Sequence, residues 1–179
     1  MKIVNLAITL GLPAATLALC VAQAARAEEL AVIVPAILDP AAAITEAVKR
    51  ECGVESRIAE EVFLRVSERI PGAKKISDPP PATQNGPLLK ITIMGVLGVG
   101  GGSWSGPKAI AIRADVVEHA KLIQTTTLRR QSSGGAFGGL SGTCPIMDRI
   151  AAALGRDVAG WVPFALRQRP AAAAPAPSQ

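Results

Sequence analysis

Few side chains in this chain could do chemistry, and several of them crowd into one stretch. Gly98-Val-Gly-Gly-Gly-Ser-Trp-Ser-Gly-Pro-Lys108 sets two serines, a tryptophan and a lysine among glycines. A phosphate-cradling loop needs G-x-x-x-x-G-K-[ST] between a strand and a helix, whose N-terminal amides and dipole hold the phosphate. Gly101 and Gly106 have that spacing, but Pro107 pushes the lysine to position 108 and Ala109 stands where a metal-binding hydroxyl belongs. The residues after Lys108 alternate with period two, which reads as a strand rather than a helix. A dinucleotide fingerprint fails at Ser103, and a G-x-S-x-G elbow fails because Trp104 takes its middle position. The stretch reads as a connector that turns the chain, and a binding edge is the second reading.

The remaining reactive types are three cysteines and one histidine. His119 falls in a short turn between two strands and reads as a solvated surface residue. With no second histidine beside it, no zinc-ligand pattern forms, and no cofactor motif is present. Glu60, Glu61 and Glu68 fit the wet face of an amphipathic helix rather than a catalytic pair. Cys20 belongs to the N-terminal leader described below. That leaves Cys52 and Cys144, neither in a C-x-x-C pattern. In an oxidising compartment a lone pair of thiols becomes a disulfide. Such a bond closes a loop of 92 residues, which chain-entropy arguments value at about 4 to 5 kcal/mol before any native-state strain is subtracted. The competing chemistry is a hydrolase using Ser105 or a thiol enzyme using Cys144. Both lack a visible base and orienting group, which favours a non-enzymatic protein.

The ends of the chain place it in that compartment. Lys2, the short apolar run from Ile8 to Ala22 and the A-x-A pattern Ala25-Arg26-Ala27 form a secretory leader, residues 1–27, cut before Glu28. Lipidation at Cys20 fits less well, because the bulky Leu19 precedes it where a small residue is needed. The apolar run is too short for a membrane span, so the mature chain is expected to be periplasmic or secreted with no integral span. Residues 170–179, rich in alanine and proline, have too little large apolar surface to order and read as a disordered tail. The leader removes Lys2 and Arg26 from 19 basic residues and nothing from 14 acidic ones, so the net charge falls from +5 to +3. That mild excess, with only 3% aromatic residues and no tyrosine, does not suit a nucleic-acid binder.

The elements between these ends must position whatever binds. Leu30 to Val34 is a short apolar strand. Asp39-Pro40 offers a helix cap and a first-turn proline, predicting a helix over residues 41–51. Ile58, Val62, Val66 and Ile70, with Phe63, mark a helix from Val54 that Pro71-Gly72 stops. Lys74-Lys75-Ile76 suits a brief edge strand, and residues 78–86 a proline-rich loop. Strands over 89–97, 108–117 and 122–130 predict an antiparallel meander. Thr143 is expected to cap a last helix, with Pro145 in its first turn, and Pro163 to end its regular pattern. Residues 28–169 therefore predict one α+β domain: a two-layer sandwich, β-α-β-β-β-α, with two helices on one face of a mainly antiparallel sheet.

In such a meander, loops 98–107 and 132–142 emerge side by side, next to the start of the last helix. Trp104, Ser105, Lys108, Arg129, Arg130 and Phe137 are the candidate binding residues of that edge. Its free amides, helix dipole and cations suit an anion. Trp104 adds an apolar anchor, unless it packs down as a lid on the core. The expected partner is an envelope protein or a small anionic ligand. A bond between Cys52 and Cys144, each just before a helix, sets those helices parallel.

Several motifs carry a family resemblance. Lys49-Arg-Glu-Cys52, Gly100-Gly-Gly-Ser-Trp-Ser-Gly-Pro-Lys108, Arg130-Gln-Ser-Ser-Gly-Gly-Ala-Phe-Gly-Gly139, Gly142-Thr-Cys144, Leu154-Gly-Arg-Asp157 and Trp161 resemble an uncharacterised family of exported proteobacterial proteins, similar to the DUF4410 group of small envelope proteins. The resemblance spans most of residues 30–162. It implies an envelope location and paired cysteines, and no activity. His119-Ala120 departs from it, since a glycine-containing turn is expected there.

Overall fold

The computed structural model describes residues 29–81, 84, 86–98, 107–133 and 142–169. The leader, the tail and the two glycine-rich loops, with Ser103, Trp104, Ser105 and Phe137, lie outside the described residues. The fold is α+β, a mixed, open six-stranded sheet with helices packed on it. The meander is as expected: β4 (Leu88–Leu97), β5 (Lys108–Glu118) and β6 (Lys121–Ser132) pair antiparallel. The sheet continues beyond β4 with short parallel strands. β1 (Ala31–Ile33) and β2 (Ile37–Ala43) follow one another along the same edge of β4, and β3 (Lys74–Ile76) pairs with β1.

β2 replaces the first half of the helix expected over residues 41–51. Two local features explain it. The Asp39 carboxylate accepts a hydrogen bond from the Ala41 amide at 2.9 Å, closing a local turn instead of opening a helix. Pro40 falls where the β2–β4 register shifts between Leu38 and Ala43, a place where a strand tolerates a residue without an N–H. The helix starts later, as α1 (Glu46–Cys52), because the Thr45 hydroxyl accepts from the Val48 amide at 3.4 Å. Gly53 then turns the chain with φ 52° and leads into α2 (Val54–Arg69). The expected core face of α2 is present: Ile58, Val62 and Val66 are fully buried.

α3 (Thr143–Arg167) is longer than its sequence pattern suggests. It begins one residue after its Gly142 N-cap, with Thr143 inside the first turn, and runs through Pro163. A proline inside a helix costs about 3 kcal/mol. Here the extra turn buries Ala165 completely and leaves Leu166 6% exposed, and that burial offsets the lost hydrogen bond.

α2 and α3 run parallel across one face of the sheet. Their starts are joined through Cys52 and Cys144, with 5.1 Å between Cα atoms. Further along, Arg57 lies 3.7 Å from Asp148. Later still, a Cβ built on Gly155 lies 2.7 Å from the Glu61 carbonyl oxygen. Beneath the helices, Leu89, Ile91 and Ile93 of β4 and Ile110, Ile112, Ala114 and Val116 of β5 form the floor of the core, each fully buried. Strand alternation sends Ala109, Ala111, Arg113 and Asp115 to the opposite face.

The hairpin between β5 and β6 is closed by His119 and Ala120 alone, with φ of 50° and 59°. Two consecutive left-handed residues match the right-handed twist of the flanking strands. Glycine or asparagine adopts that conformation more cheaply than alanine does, so Ala120→Gly is expected to stabilise the fold by about 1 kcal/mol in urea unfolding. Gly155→Ala and Gly160→Ala form a matched pair. Nothing lies within 4 Å of a Cβ at Gly160, so helix propensity alone acts there, a gain of up to about 1 kcal/mol. At Gly155 the same methyl group meets the α2 backbone, and a loss of about 1 to 3 kcal/mol is expected. Equal effects at the two positions would contradict the close helix contact.

Candidate functional site

The loop end of the sheet is where the meander delivers its connections together. Leu97 pairs with Ala109, Ala109 with Gln131, and Lys108 with Ser132, so both glycine loops leave from one rim. The helix side of that rim is closed. The Thr45 hydroxyl donates to the Gly98 carbonyl at 3.4 Å, tying the start of α1 to the end of β4. A Cβ at Gly98 meets Met147 Cε at 2.5 Å, Lys108 Cδ at 3.5 Å and Val48 Cγ2 at 3.7 Å. α1, α3 and β5 thus converge on a residue with no side chain. The disulfide sits in the same corner, joining the last residue of α1 to the first turn of α3.

The three cations expected at this edge do not share it. Lys108 is 1% exposed, its aliphatic stem packed beside Gly98 on the helix side. Arg130 also faces the helices. Its guanidinium donates twice to Asp157 on α3, at 2.6 Å from Nε and 2.7 Å from Nη2. That hydrogen bond, and then the carboxylate charge, raise the Arg130 pKa further above its ordinary value. It clamps β6 to α3 in a bidentate geometry that fixes orientation as well as charge. Arg129, one residue earlier, falls on the opposite face.

On that opposite face Arg129 borders a hollow of about 260 Å³ lined by Ala43, Gly95, Val96, Leu97, Ala109 and Ala111. Two small residues at alternate positions near the start of β5, Ala109 and Ala111, help make the depression, while Ile110 and Ile112 fill the core. Leu97 stands at its lip, 58% exposed. The sequence cue was the run Ala109-Ile-Ala-Ile112: a solvated face carries polar residues at those alternate positions, and here they are alanines. Below the hollow, Asp115 accepts from Arg113 Nε at 3.2 Å and from the Thr125 hydroxyl at 2.6 Å, and Thr92 is 3% exposed.

His119 lies at the far end of β5. It lines a second hollow of about 390 Å³ with Asp78, Pro80, Pro81, Gln84, Leu88, Lys90 and Val117, a grouping that the turn assignment alone did not reveal. Among the described residues no cluster of His, Cys, Asp and Glu could hold a metal ion, and no helix is long and apolar enough to cross a membrane.

No family model matches the sequence, so the resemblance to the DUF4410 group is not shown, and no curated protein matches it. Among solved structures, the fold is similar to the PelC dodecamer of Paraburkholderia phytofirmans, with a TM-score of 0.48 and 12% identity over 73% of this chain and 86% of that one. It is also similar to a Xanthomonas campestris protein of the DUF330 family model, at 0.46 and 12% over 78% and 86%. A minor lipoprotein of Acinetobacter baumannii matches at 0.35 and 10% over 75% and 92%. At these identities and scores none of them carries a function to this chain.

The two neighbouring arginines provide a direct check on the site. Arg130→Ala is expected to lower the melting temperature, because it frees Asp157 and unpins β6 from α3. Arg129→Ala, on the open face, is expected to leave the melting temperature nearly unchanged. The reverse order in thermal unfolding would contradict the assignment of faces.

Proposed function

We propose that the protein is exported to the envelope and acts as a non-enzymatic binding module, gripping its partner with the loop end of the sheet. The observation that carries this reading is the small-residue hollow with Leu97 exposed at its lip and Arg129 at its side. An exposed leucine beside a depression and an exposed cation offer one apolar and one charged contact within a single patch. The leader motif and the disulfide support the location, since cross-linked thiols persist in oxidising compartments. Trp104, Ser105 and Phe137, also candidates from the sequence, belong to the two glycine-rich segments that follow Gly98 and Ser133 and lie outside the described residues. A partner bearing an apolar group beside an anion fits the hollow and Arg129 together.

The enzymatic reading has less support. Cys144 is bonded to Cys52, so it offers no thiolate. Ser105 would need a base, and β5 separates His119 from the loop end by about 30 Å.

A photo-reactive residue at position 97, installed in the native organism, tests the proposal against the same residue at position 64. Leu64 is comparably exposed, at 47%, but lies on α2. A discrete cross-link from position 97 that Arg129→Glu abolishes, and none from position 64, is the expected result. Equal yields from both positions, or none from 97, would remove the loop end as the binding surface.

A further inference from the structure

The two edges of the sheet are built differently. β3 closes one side with three residues, Lys74 to Ile76, and both of its lysines are engaged, Lys74 with Glu29 and Lys75 with Glu60. Short, charged edges of that kind resist pairing with other chains. β6 closes the other side with twelve residues. Its strand partner among the described residues is β5 alone, so about half of its backbone N–H and C=O groups point away from the sheet. Within Lys121–Ser132 there is no proline. The Thr125-Thr126-Thr127 run favours extended backbone. α3 packs against the sheet on one face of β6, held by the Arg130–Asp157 clamp, and a register shift opposite Val116 and Val117 leaves Ile123 as an extra residue in β6.

The charges on β6 select among possible occupants. The strand carries Lys121, Arg129 and Arg130 and no acid. Arg130 is satisfied by Asp157. Lys121 and Arg129 are exposed and have no ion-pair partner among the described residues. A second copy of β6 laid on this edge carries no acid to set against Lys121 and Arg129, so it gains nothing from their charge. Lys121 stands opposite Glu118 on the helix side of the edge, and across the bulge at Ile123 Arg129 stands opposite Ala111 on the open side, so an extended segment with acidic side chains on both of its faces pairs with both cations.

The geometry points to β6 as a docking strand that takes up an extended, acidic segment of a partner protein and adds it to the sheet by backbone hydrogen bonding. This inference rests on the binding-module reading and names the partner's chemistry and mode of attachment. Backbone pairing along the edge supplies the grip, and acids opposite Lys121 and Arg129 set register and exclude basic or neutral segments. Arg129 also borders the hollow beside Leu97, so a strand on β6 lies next to that patch.

The test uses two blocked peptides of roughly ten residues, one with two adjacent glutamates at each end of a valine- and threonine-rich centre, so that acids fall on both faces, and one with lysines in place of the glutamates. Their binding to the mature protein is followed by fluorescence anisotropy and by amide hydrogen exchange resolved residue by residue. The glutamate peptide is expected to bind and to slow exchange at alternate amides of β6. The lysine peptide is expected to do neither. Lys121→Glu with Arg129→Glu, with its native melting behaviour verified, is expected to weaken the glutamate peptide by about tenfold. No protection in β6, equal binding of both peptides, or an unaffected double variant overturns the inference. So does β6 protection that grows with protein concentration in the absence of peptide, which would identify a second copy as the occupant. Peptide binding that protects only the loop end, around Leu97 and Ala109, overturns docking on β6 while leaving the binding module intact. Cross-linking at position 97 tests that module separately.

Discussion

The close approach of α3 to α2 is the constraint on which the rest of the molecule depends. At Gly155 the two helices come so near that one methyl group would press on the Glu61 carbonyl. This contact lets two parallel helices sit side by side over one sheet, and it puts both of their N-termini at the same end. The Cys52–Cys144 bond ties that end shut. With the helices fixed there, the loop end of β4, β5 and β6 has a rigid backing, which the proposed binding surface needs.

Strand alternation then decides what that surface carries. Lys108 and Arg130 fall on the face that meets the helices, where one is buried and the other clamps Asp157. Arg129 falls on the other face, beside alanines and a glycine. Three cations at one end of the sheet are therefore placed differently, and among the described ones only Arg129 lies at the hollow. The same alternation places large isoleucines in the core and leaves small residues outside, so the hollow on the open face is the other side of a well-filled interior.

Much of this architecture was legible in the residues. The apolar steps of α2, the period-two strands of the meander and the lone pair of cysteines each state a local rule that tertiary structure also obeys. The failures have local causes. Asp39-Pro40 reads as a helix start, but the β4 edge offered residues 37–43 a strand pairing and the Asp39 side chain bonded its own turn. Pro163 reads as a stop, but the burial of Ala165 and Leu166 rewarded one more turn. The cation cluster at the loop end was drawn from the meander, which brings the strand ends to one rim but does not say which face each side chain takes. The hollow beside His119 joins residues from a loop, three strands and a turn, a grouping that no single segment announces.

The parallel helix pair, its tie at the loop end and an oxidising location stand or fall together, and one measurement reaches all three. The protein is isolated from the envelope fraction of its native organism, its free thiols are blocked at once, and it is digested without reduction for mass spectrometry. A single joined product containing the Cys52 and Cys144 peptides, with negligible blocked thiol at either position, is the expected result. Both cysteines recovered as blocked free thiols would contradict the disulfide tie and, with it, the proposed export.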